Sequence, residues 1–120
     1  MSRDVVARLD DMIEAAEYVV AWTTGRVADD LADDVGLRFQ IERALEVLGE
    51  AAKHVPEDVR TLADEFPWRK ACGLRDVLAH AYFDVDPEVL VSVGLESLPR
   101  ALPALHRLRA LLAAGSAPKG

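Results

Sequence analysis

From Val5 onward, apolar side chains return every three or four residues: Val5, Leu9, Met12, Ile13, Ala16 and Val20. That period gathers them on one stripe of an α-helix and predicts a first helix from Arg3 to Thr23, with Ser2 as its N-cap. Thr23-Thr24-Gly25 ends it, and Gly25 suits a left-handed C-cap. A connector through Asp29-Asp30 leaves room for one short helical turn. A second stripe, Leu37, Ile41, Ala44, Leu45, Leu48, Ala51, Ala52 and Val55, predicts a helix from Asp33 to His54. Arg38, Glu42, Glu46 and Glu50 recur at steps of four and are expected to form its solvated face. Gly49 lies inside the stripe, where it costs about 1 kcal/mol against alanine; close approach of another backbone would explain it.

Pro56-Glu57-Asp58 opens a short third helix to about Phe66, with its acids at the positive helix end. Pro67 breaks that run and starts a fourth helix anchored by Trp68, with Ala71, Leu74 and Leu78 on one side. Asp84-Val85-Asp86-Pro87 reads as a turn and restart, with Asp86 as N-cap. The fifth segment, Pro87 to about Ala113, carries Leu90, Val93, Leu98, Leu102, Leu105, Leu108 and Leu112. Pro99 and Pro103 must kink or divide it near Ser97. There is no repeat, no low-complexity block and no strand-like alternation. The expected fold is all-α: an antiparallel bundle of about five helices in one domain, residues 1–114, with 115–120 as a fraying tail.

Composition narrows the setting. The chain has 120 residues, enough for one unstapled domain. The apolar fraction of 51% and the charged fraction of 29% are those of a water-soluble globule. A single cysteine, Cys72, excludes an internal disulfide; it is expected to be a small buried hydrophobe in a reducing cytoplasm. Met1-Ser2-Arg3-Asp4 starts a polar-apolar pattern and not a signal peptide, and no apolar run is long enough for a membrane span. The formal charge of −7 argues against coating nucleic acid by bulk electrostatics, though not against a local cationic site or a basic protein partner.

One such site stands out. Arg75-Asp76-Val77-Leu78-Ala79-His80-Ala81-Tyr82 gathers a permanent cation, an imidazole and a phenol. Arginine can neutralise a phosphate or a developing phosphorane, and histidine can pass a proton near neutral pH. Arg69 and Lys70 precede them, so that from Trp68 to Tyr82 the only acid is Asp76. These cations are candidate RNA contacts. Asp76 could hold Arg75, orient an imidazole or be a plain surface charge. Arg75 and His80 are five residues apart, about 140° around a helix and about 7.5 Å along it. One copy is therefore poorly built to clamp a single phosphate with both groups. Two copies at a dimer interface could set His80 of one beside Arg75 of the other, supplying the acid and base that RNA cleavage by its own 2′-hydroxyl requires. A bare Arg-x4-His also recurs by chance, and Tyr82 alone is more often a half-buried helix-end residue. His54 and His106 fit surface or packing roles, and the three histidines have no metal-site spacing. No cofactor or metal is expected.

Glu46-Val47-Leu48-Gly49-Glu50-Ala51-Ala52-Lys53, then Pro67-Trp68, then Leu74 to Asp86 with its Arg-x4-His-x-Tyr, resemble in order and spacing the HepT-like ribonucleases of the HEPN superfamily. The resemblance covers roughly residues 3–112. It implies an all-helical homodimer whose paired motifs form a composite, metal-independent endoribonuclease site, with Arg75 and His80 as the catalytic pair. It further implies a toxin of a type VII toxin–antitoxin system, partnered by an MntA-type nucleotidyltransferase antitoxin that transfers AMP to Tyr82. Family members often carry Asn after the motif arginine, where this chain has Asp76, a difference that bears on RNA affinity. The competing expectations are a non-catalytic RNA- or nucleotide-binding module, such as the accessory subunit of a nucleotidyltransferase, and a plain helical dimerisation domain.

Overall fold

The computed structural model describes residues 3–79 and 85–115, and only the backbone of residues 3, 75, 77 and 79. The described residues are helical almost throughout, with no strand among them. The helices are α1 (Arg3–Thr23), α2 (Ala28–Asp33), α3 (Val35–Lys53), α4 (Glu57–Arg60), α5 (Trp68–Ala79), α6 (Pro87–Ser92) and α7 (Leu98–Gly115). A 3₁₀ turn, Thr61–Ala63, follows α4, and a π-helical segment, Val93–Ser97, joins α6 to α7.

α1 packs on α3 and α7, and α3 packs on α5. The apolar stripes meet in one core. Leu9, Met12 and Val19 of α1, Ile41, Leu45 and Leu48 of α3, and Leu105 and Leu108 of α7 are almost completely buried. Each such side chain contributes about 1.5–3 kcal/mol by leaving water. Exposed polar contacts run along the seam between α1 and α7: Arg109 Nε donates to Asp10 at 2.8 Å, and His106 lies 3.2 Å from Glu17. As residue numbers rise on α1 they fall on α7, so these helices are antiparallel. Asp10 raises the Arg109 pKa by hydrogen bonding and charge.

Several ends match the sequence expectation. Gly25 has φ of 76°, the left-handed value that favours glycine. Asp86 caps α6 by accepting from the Glu88 N–H at 2.9 Å. The Ser2 cap and the tail residues 116–120 lie outside the described residues, while α7 runs through Gly115.

Other elements correct it. The connector after Gly25 holds a complete short helix, α2, and α3 begins one residue after its N-cap Asp34, whose carboxylate accepts from Leu37 N–H at 2.9 Å. Arg38 is not on a solvated face: it is buried, and its Nη1 donates to the carbonyls of Leu31 (3.2 Å) and Ala32 (3.1 Å). The C-terminal carbonyls of α2 need donors, and a guanidinium from the next helix supplies them. Glu42 and Glu46 are half-buried, and only Glu50 of that row is exposed. The third helix stops at Arg60 and finishes as a 3₁₀ turn, short of Phe66. The break expected near Ser97 is the π-helical segment, closed by the Leu98 N–H bonding the Val93 carbonyl. There Gly94 passes so close to α1 that an added Cβ would lie 2.8 Å from Thr23 Cβ.

Candidate functional site

The site is built on α5, and α5 is held at its start. Trp68 is buried, its Nε1 donates to the Ala63 carbonyl at 3.0 Å, and Phe66 meets it edge-on with ring centroids 4.6 Å apart. The Arg60 guanidinium stands 5.8 Å from the centre of the Trp68 ring. The same Arg60 donates to the carbonyls of Val55 (2.9 Å) and Ala52 (3.1 Å), satisfying the C-terminal end of α3. One arginine thus ties the end of α3 to the beginning of α5. Beyond the anchor, Ala71 is buried and Leu74 and Leu78 are half-buried against the core.

Arg75 is a backbone position of α5, whose last described residue is Ala79; the Arg75 side chain, His80 and Tyr82 lie outside the described residues. The juxtaposition of Arg75 and His80 therefore stays an expectation. The neighbouring positions are described. Asp76 is exposed, and the Lys53 ammonium at the end of α3 donates to its carboxylate at 2.8 Å. Lys53 was part of the sequence pattern without a role. It is 23 residues from Asp76, a separation at which no local spacing rule operates.

Arg69 and Lys70 are both exposed, but they serve different clefts. Arg69 lines a polar groove of about 550 Å³ with Glu57, Arg60, Asp64, Cys72 and Asp76. Lys70 borders an apolar cleft of about 410 Å³ walled by Leu48, Phe66, Leu74, Val93 and Leu98. The cationic stretch is therefore not one continuous strip, because adjacent residues diverge by about 100° on a helix. The groove's acids, Glu57, Asp64 and Asp76, face Arg60 and Arg69, so it is not strongly positive by itself. Cys72 is half-buried in this groove rather than sealed in the core.

The remaining histidines are surface residues. His54 is exposed 3.2 Å from Glu50, and His106 is exposed against Glu17. Among the described residues no group of three or more His, Cys, Asp or Glu side chains could hold a metal ion, and no helix is long and apolar enough to cross a membrane.

Comparison with known proteins bears on this geometry. The family model described as Ribonuclease HepT-like matches residues 12–108, a span that includes α5 and the whole Arg75–Tyr82 motif. The chain is 38% identical over 109 residues to a Thermococcus cleftensis protein named "Probable ribonuclease HepT", covering 91% of this chain and 99% of that one. It is 34% identical over 98 residues to "Putative RNase MJ1380" of Methanocaldococcus jannaschii, covering 82% of this chain and 90% of the relative. It is 30% identical over 91 residues to "Putative RNase TTE0752" of Caldanaerobacter subterraneus, covering 76% and 81%. No solved structure matches the chain.

Proposed function

The chain belongs to the HepT-like ribonuclease family, and from that premise we propose that it is a metal-independent endoribonuclease acting as a dimer in the cytoplasm. The observation that carries this is the family match over residues 12–108, inside which the Arg-x4-His motif starts on α5. Arg75 stabilises the scissile phosphate and the charge that builds on it. His80 exchanges protons with the attacking 2′-oxygen and the leaving 5′-oxygen. Because Arg75 and His80 are five positions apart, about 140° around a regular helix, the working site is composite, with His80 of one copy serving a phosphate held by Arg75 of the other. Arg69 and Lys70 supply flanking RNA contacts from two sides of α5. Asp76 supports the motif.

In this scheme the protein is the toxin of a type VII toxin–antitoxin pair. An MntA-type nucleotidyltransferase antitoxin silences it by transferring AMP from ATP to Tyr82. The added phosphate and bulk repel and block RNA where its own phosphate must sit.

The test is cleavage of RNA by the purified protein in the presence of a chelator. Wild type should cut, and His80→Ala and Arg75→Ala should lose at least about a hundredfold in rate, the usual share of a general acid–base or charge-stabilising group. Equal cleavage by His80→Ala would remove the catalytic assignment. A non-catalytic binding module is the second candidate, favoured by the charge of −7 and by the carboxylate of Asp76 beside the motif arginine. It predicts RNA or nucleotide binding with no turnover.

A further inference from the structure

Among the described residues α5 packs extensively on α3 and on no other helix to a like extent. Beside it, toward the π-helical segment and the start of α7, lies the apolar cleft of about 410 Å³. Its floor is Leu48, Phe66 and Leu98, all buried, and its walls include the half-buried Leu74, Val93 and Ala101. Among the described residues only two polar side chains line it, Lys70 and Ser97, and both are exposed at its mouth. No carboxylate is in that lining, and no described acid pairs with Lys70.

The cleft's size lies in the range of small-molecule sites, about 300–1,000 Å³. A hydrocarbon lining favours a hydrocarbon ligand. A nucleobase or a sugar would bring donors and acceptors that this lining cannot answer, at a loss of roughly tenfold in affinity for each. The ammonium at the mouth selects the other end of the ligand, which must be an anion. The large apolar side chains that the described surface exposes, Tyr18, Phe39 and Leu111 among them, all lie outside the cleft. Apolar surface therefore stops at the mouth, which suits an enclosed ligand better than a protein partner spread over about 800 Å². The π-helical segment supplies Val93 and Ser97 to the site, and such segments recur where proteins bind or react. We propose that the cleft binds a small amphiphilic carboxylate, its acyl chain lying over Leu48, Phe66 and Leu98 and its carboxylate meeting Lys70. The site is separate from the nuclease assignment: it needs no RNA and shares with that assignment only Lys70.

Titration calorimetry on the full chain tests this with hexanoate, octanoate and decanoate, each below its micelle concentration. Affinity should rise about threefold to fourfold per added methylene, the gain from burying one in hydrocarbon, and level off once the chain fills the cleft. Lys70→Ala should weaken decanoate about twofold to fivefold, the worth of one exposed ion pair, and leave uncharged decanol as it was. The decanoate advantage over decanol should shrink as salt rises. Ala101→Phe puts a ring into the cleft from α7 and should weaken decanoate and decanol alike, by at least about tenfold. Val93→Phe does the same from the π-helical segment and serves where Ala101→Phe does not fold, as circular dichroism melts would reveal.

The proposal is overturned if decanoate does not bind at millimolar concentration. It is equally overturned if folded Ala101→Phe or Val93→Phe binds decanoate as wild type does, since the chain then adsorbs elsewhere. Loss of decanol and decanoate to the same degree in Lys70→Ala would show that the lysine acts through the fold and not as the partner of the carboxylate, which also overturns it. Vesicles of phosphatidylglycerol that capture the protein while free decanoate does not bind would make this face a membrane contact and sink the small-ligand reading. Failure of the nuclease assignment would look different: wild type would cut RNA no better than His80→Ala, and the carboxylate titrations would be unaffected.

Discussion

At the scale of single residues, the least forgiving position is Gly94. A Cβ there would sit 2.7 Å from Thr23 Cγ2 and 2.8 Å from Thr23 Cβ. Thr23 is itself fully buried, with its hydroxyl donating to the Val19 carbonyl at 2.8 Å. Nothing on either side is a loose side-chain end that can swing away. Gly94→Ala is expected to cost about 1–3 kcal/mol by overpacking, lowering the melting temperature by roughly 5–15 °C in a calorimetric scan. In a Thr23→Ala background the same substitution should cost clearly less, because two of the three atoms it meets are gone; equal costs in both backgrounds would show that the two residues do not clash. Sequence inspection did not single out Gly94, since the glycine becomes necessary only where the segment crosses α1. Arg38 teaches the same lesson in charge. Its step-of-four spacing with Glu42 and Glu46 reads as a solvated row, yet its guanidinium closes the end of α2, a helix whose existence the connector barely signals.

At the scale of elements, what was legible is what short-range rules govern. The stripes of α1 and α3 end up in the core residue by residue, except that Val19 is buried where Val20 was expected to be. Gly25 and Asp86 cap as their chemistry dictates. What was not legible is set by contacts between elements: the early end of α4, the π-helical segment, and Arg60 serving both α3 and the anchor of α5. The candidate site divides the same way. Its motif was visible because Arg75 to Tyr82 are neighbours in sequence, whereas Lys53 was not, because α3 delivers it from 23 residues away from Asp76. The anchor should therefore govern α5 as a unit. Trp68→Ala removes a buried ring, its hydrogen bond and its contact with Arg60, and is expected to cost about 3–5 kcal/mol in urea unfolding. Trp68→Phe keeps most of the packing and gives up one hydrogen bond, about 1 kcal/mol. If the two variants are equally stable, the ring is not what holds the start of α5.

At the scale of the whole molecule, the question is how an acidic protein handles RNA with so few cations. Its 14 basic residues face 21 acidic ones, and on the described surface many are spent on one another, as in Arg109 with Asp10 and Lys53 with Asp76. A second copy doubles the cations available to one phosphate without raising the charge elsewhere on either copy, which is the economy a composite site offers. The expected isologous dimer can be tested by mixing. In a sample where equal amounts of Arg75→Ala and His80→Ala chains are unfolded together and refolded, half the dimers should be mixed, and each mixed dimer holds one site with both His80 and Arg75 intact and one with neither. If a site needs one histidine from one copy and one arginine from the other, activity should return to about a quarter of wild type from two inactive parents. If cleavage needs both histidines, one as base and one as acid, the mixture stays inactive while sedimentation still reports dimers. If sedimentation reports monomers that cleave RNA, a single chain must bring Arg75 and His80 to one phosphate, and the helix would have to depart from regular geometry between them.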